Sequence, residues 1–519
     1  MLRFINEFRS SYEGKLFKYA IFLIFFWLVL GYFQLNGDLG QMFYGPHYWR
    51  QADGLAQTMN YVKNGYDFFD HSVYYNQFNG TSKGVGEFPI MYYWVALQKG
   101  VFGGDLFYLF RLNNFIIGFF GILAIFKISY HFLRNTLLSV AVTFLVFCSA
   151  VFGMYYLTPL PDPLAFNLSI IGYWWMIQYY HKRRPRYLLG AVMVLSIAFM
   201  VKFYFILPFL AFLCLLALRK ILKIQLYLYL KFHPFFLLPL LAGISWLVYV
   251  RWYNMANGCN FFLSEIMPLW STTPDQMERT LSNVYHLRFD YISKYVMLLF
   301  VVSVIINLSW WNKKFQLMNW YLIISIFGSI AFVLFFFQMF EAHDYYIFPI
   351  IFLIPLSIGM MCFKLKSILE GQHSLQRFSI VSMALILLCI QNAIPTFEKR
   401  KWDKHMNHQD YYANYKNSDV MLDYIGVNRS SKVLSLSDIT PNYSLFLMDR
   451  PGWSAYQAFY LHWTMDDFVE RGVQYLIVNK KLTFWEAEEH AKGFLDYPLG
   501  EKDELFVYDL RPYKNVNEE

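Results

Sequence analysis

The chain has 519 residues, of which 57% are hydrophobic, 21% aromatic and only 15% charged, and its mean hydropathy is +0.32. So few charges beside 54 Phe exclude an ordinary soluble globular protein, and the five Cys form neither a disulfide framework nor a zinc-binding spacing. The formal charge of +8 does not imply a nucleic-acid partner, because the basic residues gather at the ends of apolar blocks, where they report membrane topology.

In chain order, eleven apolar blocks are expected to span a membrane: roughly 18–34, 107–128, 137–155, 160–180, 187–201, 203–218, 234–252, 294–309, 318–338, 345–361 and 378–395. The first lacks a small-residue cleavage site and is expected to stay as a span. With the N-terminus inside, the inner connectors carry Arg3, Arg9, Lys15, Lys18, Lys127 and Arg134, then Lys182, Arg183, Arg184 and Arg186. They continue with Arg219, Lys220, Lys223 and Lys231, then Lys313, Lys314, Lys364, Lys366 and Arg377. The longer outer loops and their edges hold only Arg50, Lys63, Lys83, Lys99, Lys202, Arg251, Arg279, Arg288 and Lys294. This asymmetry places the N-terminus in the cytoplasm and the C-terminus outside.

The expected architecture is a multi-span α-helical membrane domain over 1–395 and a small soluble α/β domain over 396–519. An outer loop over about 36–106 is expected to hold two juxtamembrane helices, one from Pro46 and one from Glu87, joined by the polar stretch 71–86. A second outer loop covers 253–293. In the C-terminal domain, strands are expected at 432–436, 475–478 and 505–508, with a helix over 465–472 that stops at Gly472.

The residues with chemistry gather on the outer side. In Gly45-Pro-His-Tyr-Trp-Arg-Gln-Ala-Asp53, a helix begun after Pro46 sets Arg50 and Asp53 three apart on one face. Such a pair can hold a phosphate and deprotonate a hydroxyl, although a surface ion pair is the commoner meaning of any single Arg/Asp spacing. Glu87 is either a helix-start acid or an active-site carboxylate. Arg111 opens the second span and can simply snorkel to headgroups. Asp162, in Pro159-Leu-Pro-Asp-Pro163, complements a helix start, yet an acid within the bilayer region tends toward function. Lys202 sits between two short apolar blocks with almost no loop around it and needs an anionic partner, for which a lipid phosphate qualifies. In Glu341-Ala-His-Asp-Tyr-Tyr346, the acids and His343 are of metal-ligating type, but the spacing matches no zinc pattern and a hydrogen-bonded helix cap is the commoner outcome. No cofactor is assigned with certainty, and a divalent metal stays open.

The sequence contains no phosphate-cradling Gly-rich loop and no cytoplasmic domain large enough for a nucleotide. A donor used outside the cell then has to arrive in the membrane as a lipid-phosphate-linked group. A sugar phosphodiester already has a good leaving group, so the enzyme needs one base at the acceptor hydroxyl and fixed cations on the phosphate. Asp53 supplies the first, and Arg50, Arg111 and Lys202 supply the second.

Tyr48-Trp-Arg-Gln-Ala-Asp53 after one span, followed by Gly86-Glu-Phe-Pro89, Pro161-Asp-Pro163 and His343-Asp-Tyr-Tyr346, resembles the integral-membrane GT-C glycosyltransferases. The nearest likeness is to the bacterial branch of protein O-mannosyltransferases and lipid A aminoarabinose transferases. The resemblance implies about eleven to thirteen spans. It also implies inverting transfer of a sugar from a polyprenyl-phosphate donor to a lipid, glycan or protein acceptor at the outer face of the plasma (inner) membrane, with Asp53 as the catalytic acid of the family's first outer loop. Glu87, Asp162, His343, Asp344 and Tyr345 then line the pocket. The mannosyltransferases place Asp-Glu where this chain has Asp53-Gly54, which leaves protein mannosylation unsupported. The alternatives are a transporter or flippase of lipid-linked saccharides, which the apolar span centres disfavour, and a lipid-linked saccharide ligase or polymerase.

Overall fold

The computed structural model describes residues 2–33, 39, 43–77, 79–219, 221–222, 233–259, 262, 265–369, 372–402, 413–481 and 487–514. The inner-connector residues Lys220, Lys223 and Lys231 lie outside the described residues, as do 36–38, 40–42, 260–261, 263–264 and 403–412 of the predicted loops and C-terminal segment.

The helices begin with α1 (Leu2–Tyr32), α2 (Tyr48–Lys63), α3 (Ile90–Phe102), α4 (Leu106–Leu133), α5 (Thr136–Phe144), α6 (Ala150–Tyr155), α7 (Pro161–Lys182), α8 (Pro185–Val201) and α9 (Leu207–Leu218). They continue with α10 (Leu238–Ala256), α11 (Pro274–Tyr291), α12 (Lys294–Ser309), α13 (Gln316–Phe335), α14 (Met339–Ala342), α15 (Phe348–Ile351), α16 (Leu353–Lys366) and α17 (Gln372–Trp402). All eleven predicted apolar blocks are helical, and the molecule is a multi-span α-helical membrane protein with a small C-terminal sheet. Among the described residues, five helical stretches are by themselves long and apolar enough to cross a bilayer: Leu106–Leu133, Pro234–Ala256, Gln316–Phe335, Asp344–Lys366 and Ser374–Lys401. The bent pair α11–α12, which turns by 92°, is a sixth if taken as one span.

The chain forms two compact units. The first comprises Met1–Gly40, Arg111–Trp246 and Glu265–Arg400. Its helices start where the sequence punctuates: Pro161 and Pro185 occupy the first turns of α7 and α8, and Thr273 caps α11 in a reciprocal capping box with Gln276. The predicted block 137–155 is broken, because Ser149 adopts an extended conformation and accepts a hydrogen bond from the Phe152 backbone, capping α6 as a separate helix. Polar groups inside this unit pair with one another. Ser303 bonds Ser357 at 2.7 Å, and the fully buried Lys364 donates to the Asn307 carbonyl (2.8 Å) and to Asn319 Oδ1 (2.7 Å), joining α12, α13 and α16.

The second unit comprises Gln41–Phe110, Leu247–Ser264 and Lys401–Glu519. Its sheet has β1 (Val433–Ser435), β2 (Gly452–Ser454), β3 (Tyr475–Asn479), β4 (Pro498–Lys502) and β5 (Leu505–Asp509) in the order β2-β1-β3-β5-β4. β1 is parallel to β2 and β3, whereas β5 is antiparallel to β3 and β4. Trp453, Phe468, Leu476 and Leu510 are buried together in its core. The sheet does not end at β2: Asn76 N–H donates to the Gly452 carbonyl (2.7 Å) and Gly452 N–H to the Tyr74 carbonyl (3.0 Å). Residues 74–76 of the first loop thereby cover the edge strand.

α7 packs against α8, and the contact leaves no room for a side chain at Gly190. A Cβ on Gly190 would lie 1.6 Å from ring carbons of Trp175, whereas one on Gly328 of α13 would meet nothing within 4 Å. Gly190→Leu should therefore destabilise the protein by about 1–3 kcal/mol or more through overpacking, and Gly328→Leu should leave it unchanged. Detergent-solubilised melting curves of the two variants check this.

Candidate active site

Gly45, with φ of 82°, turns the chain into Pro46 and lets α2 begin at Tyr48. Arg50 and Asp53 consequently face the same way, and Arg50 Nη1 donates to Asp53 Oδ2 at 2.8 Å. The other guanidinium nitrogen, Nη2, donates to both Glu87 oxygens at 2.7 and 2.6 Å. Glu87 reaches it because the preceding turn is pinned: Asn254 accepts from Val85 N–H (3.0 Å) and donates to the Val85 carbonyl (2.9 Å). Tyr92 of α3 donates its hydroxyl to Glu87 Oε1 at 2.6 Å, and the Arg50 guanidinium lies 5.8 Å from the Phe262 ring centre.

Asp53 is closed from the far side by Asn442, whose Nδ2 donates to Asp53 Oδ1 at 2.8 Å while its Oδ1 accepts from Tyr75 N–H at 2.9 Å. Asn442 follows a loop shaped by Asp438, which accepts from the backbone N–H groups of Thr440 (2.8 Å) and Ser444 (2.9 Å). Asp53 is 2% exposed. Burial pushes its carboxyl up from the usual carboxylate range to about 6; Arg50 and Asn442 restrain the rise, and the Glu87 charge adds to it. Of the residues singled out in the sequence, the second unit thus brings Arg50, Asp53 and Glu87 into one buried cluster.

The first unit gathers a second group. Lys202, extended at the C-terminus of α8, places its ammonium 5.7 Å from the Tyr204 ring centre. Tyr204 donates its hydroxyl to Asp162 Oδ1 at 2.5 Å and packs on Tyr346 at 5.4 Å between ring centres. Tyr346 stacks in turn on His343 (5.9 Å), which stacks on Tyr345 (5.3 Å). Asp344, although adjacent in sequence, turns elsewhere: it pairs with Arg400 and accepts from Tyr155 at 2.9 Å. Arg400 also pairs with Asp290 at 2.5 Å, and Glu341 pairs with Arg279 at 2.6 Å. The acids of the Glu341–Asp344 stretch are therefore divided between different cations, and among the described residues no group of three or more His, Cys, Asp or Glu is arranged to hold a metal ion. Arg111 is fully buried within α4 of this unit.

Asn442, Tyr92, Tyr204, Tyr155 and Arg400 join these groups without any motif in the sequence singling them out. Tyr204 lies two residues from Lys202. Asn442, 389 positions from Asp53, carries no local signal.

No protein-family model matches the chain, and no curated protein matches it. Solved structures do. The crystal structure of ArnT from Cupriavidus metallidurans bound to undecaprenyl phosphate matches with a TM-score of 0.58 over 94% of this chain and 97% of its own, at 10% sequence identity. The apo state of the same protein gives 0.57 over 95% and 98%, at 11% identity. The chain has the ArnT fold. At such identity the likeness is one of fold alone, and it agrees with the GT-C branch to which the Arg-Gln-Ala-Asp stretch and its companions point.

Removing Arg50, the cation bonded to both Asp53 and Glu87, tests the electrostatics of the cluster. Arg50→Met should cost about 3–5 kcal/mol at pH 8, because it leaves buried carboxylates uncompensated. Without Arg50 the Asp53 carboxyl moves further above 6, so the variant holds a proton at pH 5 that the unfolded chain, with an ordinary carboxylate, binds more weakly. The loss should therefore be smaller at pH 5 than at pH 8, and melting temperatures of variant and wild type at both pH values check it.

Proposed function

We propose that this protein is an inverting glycosyltransferase that moves a sugar from a polyprenyl-phosphate donor to an acceptor hydroxyl at the outer face of the membrane. The observation that carries this reading is the buried Asp53 carboxylate, held by Arg50 and Asn442 with its pKa near 6, in a chain of ArnT fold. That one of the ArnT structures is bound to undecaprenyl phosphate supports a lipid-linked donor.

In the proposed step, Asp53 accepts the proton of the acceptor hydroxyl while that oxygen forms a bond to the anomeric carbon. The bond from the anomeric carbon to the phosphate oxygen breaks on the opposite side, and its electron pair leaves with the polyprenyl phosphate. The anomeric configuration is inverted. A base with a pKa near the working pH suits late proton transfer, since it is mostly ionised yet still basic enough to take the proton. Lys202 and Arg111 are assigned to the charge of the donor phosphate and Arg50 to holding Asp53, while Asp162, His343 and Tyr345 shape the pocket around Lys202. Asp344, engaged by Arg400 and Tyr155, is assigned to supporting that pocket from behind.

Transfer of label from a panel of radiolabelled polyprenyl-phosphate sugars to a membrane extract, catalysed by purified protein, tests the reading. Asp53→Asn should lower transfer by about 10²–10⁴-fold without loss of folded protein; full activity in that variant sinks the assignment. The wild-type rate should rise with pH and level off above about 6, because only ionised Asp53 accepts a proton. Asn442→Ala removes a hydrogen bond that lowers the Asp53 pKa, so its acid limb should lie at higher pH. Lys202→Ala should weaken donor binding by about 10–100-fold, the worth of a hydrogen bond to a charged group, while unchanged donor affinity would remove Lys202 from the phosphate.

A further inference from the structure

We propose that Asp449 is a positioning residue for Asp53: it anchors the short helix Tyr443–Met448 to the end of α2 and so holds Asn442 against the Asp53 carboxylate. This rests on Asp53 being the base of the proposed transfer, and all the residues concerned belong to the second unit.

Asn442 and Asp449 flank that helix, and each grips the same two segments. At the front, Asn442 donates to Asp53 of α2 at 2.8 Å and accepts from Tyr75 N–H at 2.9 Å. At the back, Asp449 Oδ1 accepts from Lys63, the last residue of α2, at 2.5 Å and from the Tyr74 hydroxyl. Its other oxygen accepts from Arg429 at 2.6 Å. Front meets front and back meets back, so the two helices run side by side in the same direction. Asp53 and Lys63 are about 15 Å apart along α2, and positions 442 and 449 about 10 Å, at 1.5 Å per residue. The long Lys63 side chain spans the difference. Between the ends, Tyr443 packs on Tyr48 of α2 at 4.8 Å between ring centres. A shift of the short helix that frees Asp449 therefore carries Asn442 away from Asp53.

The backbone suits Asp449 to this task. Its φ of 53° is left-handed, a conformation that Asp tolerates, and its N–H donates to the Leu445 and Phe446 carbonyls, which ends the helix. A simpler account is a buried ion pair that only stabilises the fold. The two roles differ in what they do to Asp53. Acting through charge alone, Asp449 would disfavour ionisation of Asp53, so its removal would lower the Asp53 pKa. Loss of the Asn442 bond does the opposite, because that bond favours the ionised carboxylate. A purely stabilising pair moves neither. Among the described residues, the ionisable groups facing Asp53 are Arg50 of its own helix, Glu87 of the turn before α3 and Tyr92 of α3, and all three stay in place in the variants below.

Infrared titration of the purified full-length protein reads the Asp53 carboxyl without relying on activity, its protonated carbonyl band being identified by loss in Asp53→Asn. Asp449→Gly deletes the carboxylate yet keeps the left-handed backbone. It should raise the Asp53 midpoint by about half a unit to one unit, part of the worth of a hydrogen bond to a charged group. Asp449→Asn, which keeps an acceptor, should stay near wild type. In an Asn442→Ala background, Asp449→Gly should add no further rise. Should Asp449→Gly fail to fold, Lys63→Met opens the same clasp from α2, and its rise should likewise vanish without Asn442. An unchanged or lowered midpoint in Asp449→Gly overturns the proposal, as does an equal rise with and without Asn442. The acid limb of sugar transfer should follow the infrared midpoint from variant to variant. A midpoint that moves as expected in a protein without transfer activity would sink the glycosyltransferase reading and leave the clasp standing.

Discussion

The second unit depends on one guanidinium facing two carboxylates out of water. Each of these three ions loses several kcal/mol of solvation on burial, and only their mutual geometry offsets it. Arg50 comes from α2, Glu87 from the turn before α3, and the neutral donor to Asp53 from the loop before residues 443–448. Neither α2 nor the turn before α3 can bury its charges alone, and Asp53 also takes a bond from the third segment. This accounts for the grouping of residues 41–110 with 401–519 in one compact body despite the long stretch of chain between them. Among the described residues, the cluster sets one positive charge against two negative ones. Glu87 receives two guanidinium bonds and a phenol, whereas Asp53 receives one guanidinium bond and one amide. Asp53, with the fewer bonds, is raised to about 6. An acid–base function and a folding constraint are thus the same arrangement of charges.

The residue after Asp53 shows how tightly that arrangement is built. A Cβ on Gly54 would lie 2.6 Å from the Tyr92 ring, closer than van der Waals contact permits. The bare α2 backbone at this point lets Tyr92 settle against it and aim its hydroxyl at Glu87. An Asp-Glu pair of the mannosyltransferase kind has no room here. The second carboxylate arrives instead from Glu87, 37 positions from Arg50, on the other side of the same guanidinium. Tyr92 of α3 occupies the place a longer side chain at position 54 would need.

Local chemistry made much of the fold legible. The Gly45-Pro46 turn announced α2, Pro161 announced α7, and the strand-like runs 432–436, 475–478 and 505–508 announced β1, β3 and β5. Periodicity could not show the break inside 137–155, because Ser149 differs from a tolerated mid-helix serine only in the backbone it caps. Nor could it show β2, three residues long, or β4, an exposed edge strand opening on Pro498 with an irregular register at Gly500. Those strands exist through pairing, and pairing is a property of chain segments far apart. The candidate site divides in the same way. Arg50 and Asp53 are neighbours on a helix, so spacing revealed them; Asn442 joins them only through the folded sheet domain. The Glu341–Asp344 stretch looked like one group in sequence, but a helical turn followed by a 3₁₀ turn separates its side chains onto Arg279 and Arg400.

The charges along α7 show why magnitude rather than sign has to decide between structural and functional readings. An acid in the first turn and basic residues in the last are what any helix dipole favours, and each such charge contributes about 0.3–1 kcal/mol where it is exposed. Lys182 fits that description, being exposed at its end of the helix. Asp162 does not: it is 1% exposed, and its desolvation exceeds what a dipole returns. What compensates it includes a phenol, and donation from Tyr204 to a carboxylate enriches the same ring over which Lys202 lies. Asp162 and Lys202 are thereby both engaged by one aromatic ring, so the acid at the start of α7 and the cation at the end of α8 are set around the same tyrosine.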